Sequence, residues 1–316
     1  MVTLTKLAKE ANVSVSTVSK AFAMSNEINE ETRNDIFAVA KKYGCFKKYY
    51  RAKYPQIMIA VICPEFNSNT YSYYLSSISE RIKDYKCRIC VAESNFSANE
   101  EKSLIEYYCN YAKVDGIILI DSQFYNISEI ETPIVAIGSK NRSDNIPTVS
   151  VDTEKAINEL LIHIKGKGID NIGFVGERYT FSRYEIFKHA AEKHNVGITH
   201  FLTDKRFAEG GYDAFEKAYA CKKIPKVIVC AYDEMAIGAI SAITSHGLKV
   251  PDDISVIGIN NIKYCDYICP PLSSVNTMDN QKLEIAIKMI TDKIFKNKEA
   301  QNITVKAENI FRKSLV

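Results

Sequence analysis

The sequence predicts an α/β protein with a small N-terminal helix-turn-helix headpiece followed by two doubly wound parallel-sheet subdomains. Residues 1–45 show helical periodicity and no strand-like run. From Ile57 onward, short and continuously apolar runs alternate with helical stretches, which is typical of parallel strands covered on both faces. These roughly 260 residues exceed one compact sheet, so two subdomains are expected.

The first helix of the headpiece is predicted over residues 4–11. Leu4, Leu7, Ala8 and Ala11 recur at i, i+3, i+4 and i+7, which is the spacing of one face of an α-helix. Asn12 ends this pattern. The chain is therefore expected to begin with a short amphipathic helix.

A second helix is expected directly afterwards, because Ser14 or Ser16 can accept backbone N–H bonds at a helix start. Its inward side is predicted to consist of Val15, Val18 and Phe22. In a helix-turn-helix, the second helix lies in the major groove of DNA. Its first residues would then face base edges, namely Val15, Ser16, Thr17 and Lys20. The pattern alone also fits a small helical hairpin with another function.

A third helix from about residue 30 to 43 would complete the headpiece, with Asn29 as its cap. Its inner stripe is predicted to be Ile36, Phe37, Ala40 and Tyr43. Residues 1–56 hold ten Lys/Arg against five Asp/Glu, whereas the rest of the chain holds 31 against 33. This asymmetry favours a nucleic-acid partner, although a solvated basic face would have the same composition.

Beyond residue 56 the alternation predicts eight strands and seven helices. The strands are expected at residues 57–64, 87–93, 116–121, 133–138, 171–176, 198–202, 226–231 and 254–260. The helices are expected at residues 72–85, 99–111, 154–165, 183–194, 208–219, 233–246 and 279–296. Ligands of such sheets bind beyond the carboxyl ends of the strands, which places a ligand in the cleft between the subdomains.

Metal and disulfide chemistry is not favoured by the nine cysteines. Their number is odd, and the CxxC pair Cys87 and Cys90 lies in a strand-like run, where positions three apart face opposite sides of a sheet. Buried small apolar side chains are therefore preferred over zinc ligands, and no metal or cofactor is expected.

Catalytic motifs are also missing from the sequence. The glycine-rich stretch at residues 166–176 matches neither a dinucleotide-binding loop nor a P-loop, and HExxH and GxSxG do not occur. An enzyme is thus not expected. The sequence contains neither a signal-peptide pattern nor an apolar run of about 18 residues, so we expect a cytoplasmic protein without a membrane span.

The headpiece resembles that of the lactose-repressor (LacI/GalR) family of bacterial transcription regulators. VSVSTVSKAF at residues 13–22 and EINEETRNDIFAVAKKYG at residues 27–44 match the family pattern V-S-x-x-T-V-S-R-x-L, then S-E-E-T-R and a helix ending in L-G-Y. The resemblance implies that one group of headpiece residues contacts operator DNA: Thr3, Ser14, Val15, Ser16, Thr17, Ser19, Lys20 and Asn29.

The segment at residues 46–56 corresponds to the family's hinge. In the family this hinge orders on operator DNA and inserts a leucine into the minor groove. Here Tyr54 and Pro55 stand at about that place, so a wedge and a flexible basic linker both remain open. Either way, the resemblance implies DNA contacts from Lys47, Lys48, Arg51, Lys53 and Tyr54.

Residues 57–316 resemble the family's effector-binding and dimerisation core, a relative of the periplasmic sugar-binding fold. IAVICPEFNSNTYSYYLSSI, CAYDEMAIGAISAITSHGLKVPDDISVIGINN, PPLSSV and the final FRKSL carry this likeness. It implies a first lobe of about residues 57–151 plus 277–298. The second lobe would hold residues 152–276 plus 299–316.

Five effector-binding residues are implied by position in the family's motifs: Tyr71, Tyr73, Asp152, Arg183 and Asn260. Asp152 is equally well placed to cap the helix that follows it. Asn260 replaces an aspartate that usually holds sugar hydroxyls, and an amide both donates and accepts without charge. The resemblance therefore implies a contact to the effector that differs from the family's usual carboxylate contact to sugar hydroxyls.

The sequence thus predicts a sequence-specific transcription regulator, more specifically a repressor, switched by a small molecule such as a sugar or sugar derivative. It would bind near-palindromic operator DNA as a homodimer. A small-molecule-binding protein, or an activator of the same family with a non-sugar effector, is the alternative.

Overall fold

The computed structural model describes residues 3–43, 57–122, 130–138 and 145–316. The headpiece contains three helices, α1 (Leu4–Glu10), α2 (Val15–Phe22) and α3 (Glu30–Lys42). Each begins after a polar side chain that accepts a backbone N–H of the first turn: Thr3, Ser14 and Asn29. The sequence prediction of three short capped helices is confirmed.

The centre of the headpiece core is formed by fully buried side chains, namely Leu7, Val18, Ala21, Ile36 and Ala40. The predicted inward side of α2 is wrong at one position, because Val15 is 43 % exposed. Val15 is the first residue of α2, at the edge of a stripe that centres on Val18 and Ala21. The first turn of α2 therefore projects away from the core.

The first lobe is built on a six-stranded sheet in the order β11-β5-β4-β3-β1-β2, with every pair parallel. Its strands are β1 (Ile57–Cys63), β2 (Cys87–Glu93), β3 (Gly116–Ile120), β4 (Ile134–Gly138), β5 (Thr148–Asp152) and β11 (Ile303–Lys306). Its helices are α4 (Asn69–Arg81), α5 (Ala98–Glu106) and α10 (Asp279–Lys296).

The second lobe repeats the arrangement with the order β12-β10-β9-β8-β6-β7. Its strands are β6 (Asn171–Gly176), β7 (Gly197–Leu202), β8 (Val227–Cys230), β9 (Ser255–Ile259), β10 (Ser273–Asn276) and β12 (Glu308–Ile310). Its helices are α6 (Glu154–Gly166), α7 (Phe181–Lys193), α8 (Phe207–Ala220) and α9 (Asp233–Ser245). All strand pairs are parallel except that of β10 with β12.

All eight predicted strands and seven predicted helices of the core are present to within a few residues. Four strands were not predicted, namely β5, β10, β11 and β12. The assignment of residues 299–316 to the second lobe is wrong for β11, because Ile303 to Lys306 pair in parallel with Val149 to Asp152 of the first sheet. The last crossing between lobes therefore falls at Ala307, between β11 and β12.

Cys87 and Cys90 of β2 lie on opposite faces of the first sheet, as the strand periodicity predicted. Cys87 is buried in the apolar cluster that includes Tyr74 and Ile290, whereas Cys90 packs against the cluster that includes Ile105. Among the described residues, no helix is long and apolar enough to cross a membrane.

Helices α8 and α9 cross at van der Waals distance in the second lobe. A Cβ on Gly211 would lie 1.8 Å from the carbonyl oxygen of Met235, and one on Gly238 would lie 1.8 Å from that of Ala208. Only glycine permits this approach. The crossing holds the N-termini of both helices side by side at the edge of the cleft between the lobes.

Candidate functional site

The solvent face of α2 carries most of the residues predicted to contact DNA. Val15, Ser16, Ser19 and Lys20 are exposed, and Thr17 is half-buried. The Lys20 ammonium pairs with the Glu27 carboxylate, but both side chains are well exposed. Such a surface pair is weak, so Lys20 can exchange Glu27 for a phosphate or a base edge.

The other three predicted headpiece contacts act as helix caps. Thr3 Oγ1 accepts from Lys6 N at 3.3 Å, and Ser14 Oγ accepts from Thr17 N at 3.0 Å. Asn29 Oδ1 accepts from Thr32 N at 2.8 Å. These exposed caps orient the helix N-termini, which are suited to bind phosphate. The predicted hinge contacts at Lys47, Lys48, Arg51, Lys53 and Tyr54 lie outside the described residues.

A cavity of about 400 Å³ lies between the lobes, at the carboxyl ends of the parallel strands. Both sheets reverse their strand order there, since β2 and β3 flank β1 and β7 and β8 flank β6. A topological switch point of this kind is where doubly wound sheets bind ligands. The position of the cleft predicted from the sequence therefore agrees with the structure.

Three of the five predicted effector residues line this cavity: Tyr71, Arg183 and Asn260. Tyr71 OH donates to Asp121 Oδ2 at 2.9 Å. Burial, followed by the Asp121 charge, raises the pKa of Tyr71 well above its ordinary value, so Tyr71 remains a neutral donor. Arg183 donates from Nη1 to the Ala231 carbonyl, which fixes the guanidinium at the end of β8.

Asn260 joins the two lobes at the floor of the cleft. Its Nδ2 donates to Thr70 Oγ1 at 3.2 Å, and the residue is 8 % exposed. Asn260 and Asn261 both have positive φ, at 102° and 55°. Buried Asp233 supports this turn because it accepts from Ser274 Oγ at 2.6 Å and from Ile262 N at 2.8 Å.

Tyr73 and Asp152 are not brought into this cavity. Tyr73 OH donates to Asn280 Oδ1, and its side chain lines a neighbouring cavity of about 640 Å³. It points away because it is two residues beyond Tyr71 on α4, on another face of the helix. Asp152 is exposed, and its Oδ1 accepts from Glu154 N at 2.9 Å. Asp152 was expected either to bind the effector or to cap the helix that follows it. In the structure it lies at the start of α6 and accepts a hydrogen bond there.

Sequence reasoning missed a cross-lobe cluster around Arg206. The Arg206 guanidinium pairs with the Glu65 carboxylate of the first lobe and lies 3.8 Å from Glu177 Oε1 of the second. Phe96 and Tyr179 stack across the cleft with ring centroids 3.9 Å apart and an interplanar angle of 13°. Arg206 lies within 5.4 Å of both ring centroids.

Acidic residues form another part of the cavity wall. Glu177 and Glu234 line it and are 2 % and 5 % exposed. Burial, with smaller contributions from both carboxylates, raises the pKa of Tyr232 to about 12. The positions of Glu65, Glu177 and Glu234 shortly after β1, β6 and β8 are the signal that could have identified them, because ligand-binding residues follow strand ends in such sheets.

A DNA-reading helical headpiece attached to a two-lobed core with a ligand-sized cleft defines a ligand-responsive DNA-binding regulator. Residues 3–45 match the family model for bacterial regulatory proteins of the lacI family, and residues 161–315 match that for a periplasmic binding protein-like domain. The probable HTH-type transcriptional repressor ExuR of Bacillus subtilis is 31 % identical over 296 residues, covering 87 % of this chain and 86 % of that protein. This chain belongs to the LacI family of bacterial transcription regulators.

A second relative and two solved structures of the same fold are also similar to this chain. Catabolite control protein A of Staphylococcus epidermidis is 26 % identical over 293 residues and covers 87 % of both chains. The lac repressor dimer bound to operator and an anti-inducer superposes with a TM-score of 0.74 at 18 % identity, covering 100 % of this chain and 99 % of that one. A regulator of Alkaliphilus metalliredigens complexed with D-xylulofuranose superposes with a TM-score of 0.70 at 20 % identity. The match covers 82 % of this chain and 99 % of that one. The predictions of fold, family and regulatory function are confirmed.

Proposed function

We propose that this regulator is a repressor that binds a near-palindromic operator as a homodimer and changes its operator affinity when a small molecule binds between the lobes. The observation that carries the proposal is the joint presence of an exposed α2 face and a cleft whose walls come from both lobes. The B. subtilis relative is described as a probable repressor, and the lac repressor structure is a dimer on operator DNA. Two-fold proteins match two-fold sites.

Base recognition is assigned to the first turns of α2. Val15 offers an apolar contact to a thymine methyl, Ser16 offers a hydroxyl, and Lys20 can donate to guanine. Thr3, Ser14, Thr17, Ser19 and Asn29 are assigned to positioning on the sugar-phosphate backbone, where hydroxyls, amides and helix N-termini bind. The basic residues of the hinge, Lys47, Lys48, Arg51 and Lys53, are assigned to phosphate. Because the target is the chromosome, we place the protein in the cytoplasm.

Effector binding is assigned to Tyr71, Arg183 and Asn260. These residues come from both lobes, and the Asn260 bond to Thr70 crosses between them. A ligand that contacts both lobes favours one lobe arrangement over another, and only such a difference in affinity can change operator binding. The ligand is expected to be compact and polar, since the lining of the cavity of about 400 Å³ includes charged and hydroxyl side chains from both lobes.

The test begins with selection of bound sequences from a random DNA pool, followed by a thermal-shift screen of sugars, sugar phosphates and nucleosides. Operator affinity is then measured with and without each ligand that raises Tm. A near-palindromic consensus and a ligand-dependent change in operator Kd are expected. A consensus without two-fold symmetry, or ligands that bind and leave Kd unchanged, would contradict the proposal.

A further inference from the structure

The second-lobe wall of the cleft contains two buried carboxylates, Glu177 and Glu234, together with Tyr232. Glu177 is 2 % exposed, Glu234 is 5 % exposed, and both line the cavity. In addition to the larger effect of burial, both carboxylates raise the pKa of the Tyr232 hydroxyl, and Arg206 lowers it. We call Glu177, Tyr232 and Glu234 the acidic wall.

The carboxylates of the acidic wall are poorly compensated. Glu177 Oε2 accepts from Tyr179 N at 2.8 Å, but Glu177 Oε1 is buried and accepts no hydrogen bond from the described residues. Glu234 makes neither a hydrogen bond nor an ion pair within the described ranges, and its Oε2 is buried. The N-terminus of α9 offsets part of the Glu234 charge, but it supplies no donor to that oxygen.

The arginines around the cavity neutralise only part of this wall. Arg206 is shared between Glu65, with which it pairs closely, and Glu177 Oε1 at 3.8 Å. Arg183 donates to the Ala231 carbonyl and lies close enough to Tyr71 to lower the pKa of that hydroxyl against the effect of burial. Arg178 is exposed and donates to Tyr179 OH. Within the part of the chain that the structure describes, one cation therefore serves two carboxylates, and Glu234 has none.

A buried carboxylate needs both a hydrogen bond and a compensating charge. A ligand hydroxyl supplies only the hydrogen bond, and a phosphate or carboxylate ligand would add repulsion. An ammonium group supplies up to three donors and a positive charge. The Phe207 ring centroid lies 5.9 Å from that of Tyr232, and the Arg206 guanidinium already lies 4.7 Å from the Phe207 centroid.

We propose that the effector carries a protonated amino group and that this group binds at Glu177 and Glu234. This inference rests on the proposed role of the cleft as the effector site. It selects amino sugars and other compact amines over neutral sugars, sugar phosphates and uronic acids.

The first test is calorimetry on the full-length protein with matched probes. D-glucosamine, D-galactosamine and D-mannosamine are each compared with the parent sugar and the uronic acid, and putrescine serves as a sugar-free amine. At least one amine should bind about tenfold or more tightly than its neutral partner, and Glu234→Gln should remove that preference. Binding of none of the amines, or an equal or stronger affinity for the neutral or acidic partner, overturns the proposal.

The second test needs no ligand. Glu234→Gln removes a buried charge that has no ion-pair partner among the described residues, so it should raise the Tm of the ligand-free protein by about 2 to 4 °C. Glu209→Gln is the matched control, because Glu209 also lies in the first turn of a helix but is exposed and paired with Lys205. A fall in Tm for Glu234→Gln would mean that the charge stabilises the fold itself, which overturns the proposal.

The two proposals fail in different ways. Suppose that a neutral or anionic ligand binds and changes operator Kd, and that Arg183→Ala removes this effect. The cleft is then the effector site, and the proposal of an amine effector is wrong. If an amine binds at the acidic wall and operator Kd does not change, the amine site is correct and the proposed regulatory role of the cleft is wrong.

Discussion

Glu65 and Arg206 form an ion pair across the cleft, from the end of β1 in the first lobe to the residue before α8 in the second. The two side chains are 13 % and 25 % exposed, so solvent screens the pair only in part. Arg206 also lies over the rings of Phe96 and Tyr179, which stack across the same gap. Relative movement of the lobes has to break these contacts.

The first prediction concerns the energy of that pair. A double-mutant cycle of Glu65→Gln and Arg206→Gln, read by chemical denaturation, should give a coupling free energy of about 1.5 to 3 kcal/mol. The exposed pair Lys155 and Glu159 of α6, with side chains 74 % and 54 % exposed, is the control. Its coupling should stay below about 0.5 kcal/mol. Equal coupling for both pairs would show that Glu65 and Arg206 do not hold the lobes together.

The second prediction concerns base recognition. Val15→Ala and Ser16→Ala should change the preferred operator sequence, at a cost of about 1 to 3 kcal/mol for each lost base contact. Lys9→Ala on α1 is the control, since an exposed lysine outside α2 can weaken binding without altering the sequence preference. The preferred operator sequence of each of the three variants is measured by selection from a random DNA pool. An unchanged preference in both α2 variants would mean that another face reads the bases.

The third prediction concerns the basic segment before the core. Neutralising Lys47, Lys48, Arg51 and Lys53 together should weaken binding evenly across sequences and reduce the slope of log Kd against log salt. The control removes the same charge from four exposed lysines of the core: Lys155, Lys222, Lys223 and Lys288. A slope that responds equally to both sets would assign the effect to net charge alone.

Tyr54→Ala distinguishes an intercalating wedge from a linker. A wedge predicts loss of DNA bending and of base preference at the operator centre, because inserted side chains kink the duplex. A linker predicts that both properties survive. Bending is measured by the electrophoretic mobility of permuted operator fragments.

The fourth prediction concerns the crossing of α8 and α9. Gly238→Ala forces a Cβ to within 1.8 Å of the Ala208 carbonyl oxygen, so the helices have to separate. The expected cost is about 1 to 3 kcal/mol of unfolding free energy. Gly166→Ala is the control, because a Cβ added at the end of α6 would approach no atom of the described residues within 4 Å beyond its chain neighbours and its own helix backbone. It should be neutral or stabilise by up to about 1 kcal/mol.

The fold was largely predictable because its buried strands are continuously apolar and regularly separated. The strands that escaped prediction are short and rich in hydroxyl and amide residues, such as Ser273–Asn276 and Glu308–Ile310. The parallel pairing of Ile303–Lys306 with β5 joins residues about 150 positions apart in sequence, and no local pattern encodes such a register. Helical periodicity also predicted Val15 to face the core. The apolar spacing alone does not show that the core stops short of the first turn of α2.

The candidate site was predictable only where a motif marked it. Tyr71, Arg183 and Asn260 were carried over from family motifs, and the structure brings them to one cavity. Glu65 and Arg206 are far apart in sequence, and their pairing depends on how the two lobes face each other. Nothing in the local sequence around Glu234 shows that its carboxylate is buried without a partner.

The most direct test of the account measures operator Kd for the wild type and for Arg183→Ala, each with and without a ligand that calorimetry shows to bind the wild type. The wild type should change its operator Kd by about 5- to 150-fold on ligand binding. Arg183→Ala should keep its circular dichroism spectrum and lose that response, whereas Asn260→Asp should disfavour anionic ligands because it adds a negative charge. An unchanged response in Arg183→Ala, with unchanged ligand affinity in both variants, would place the effector site outside this cleft.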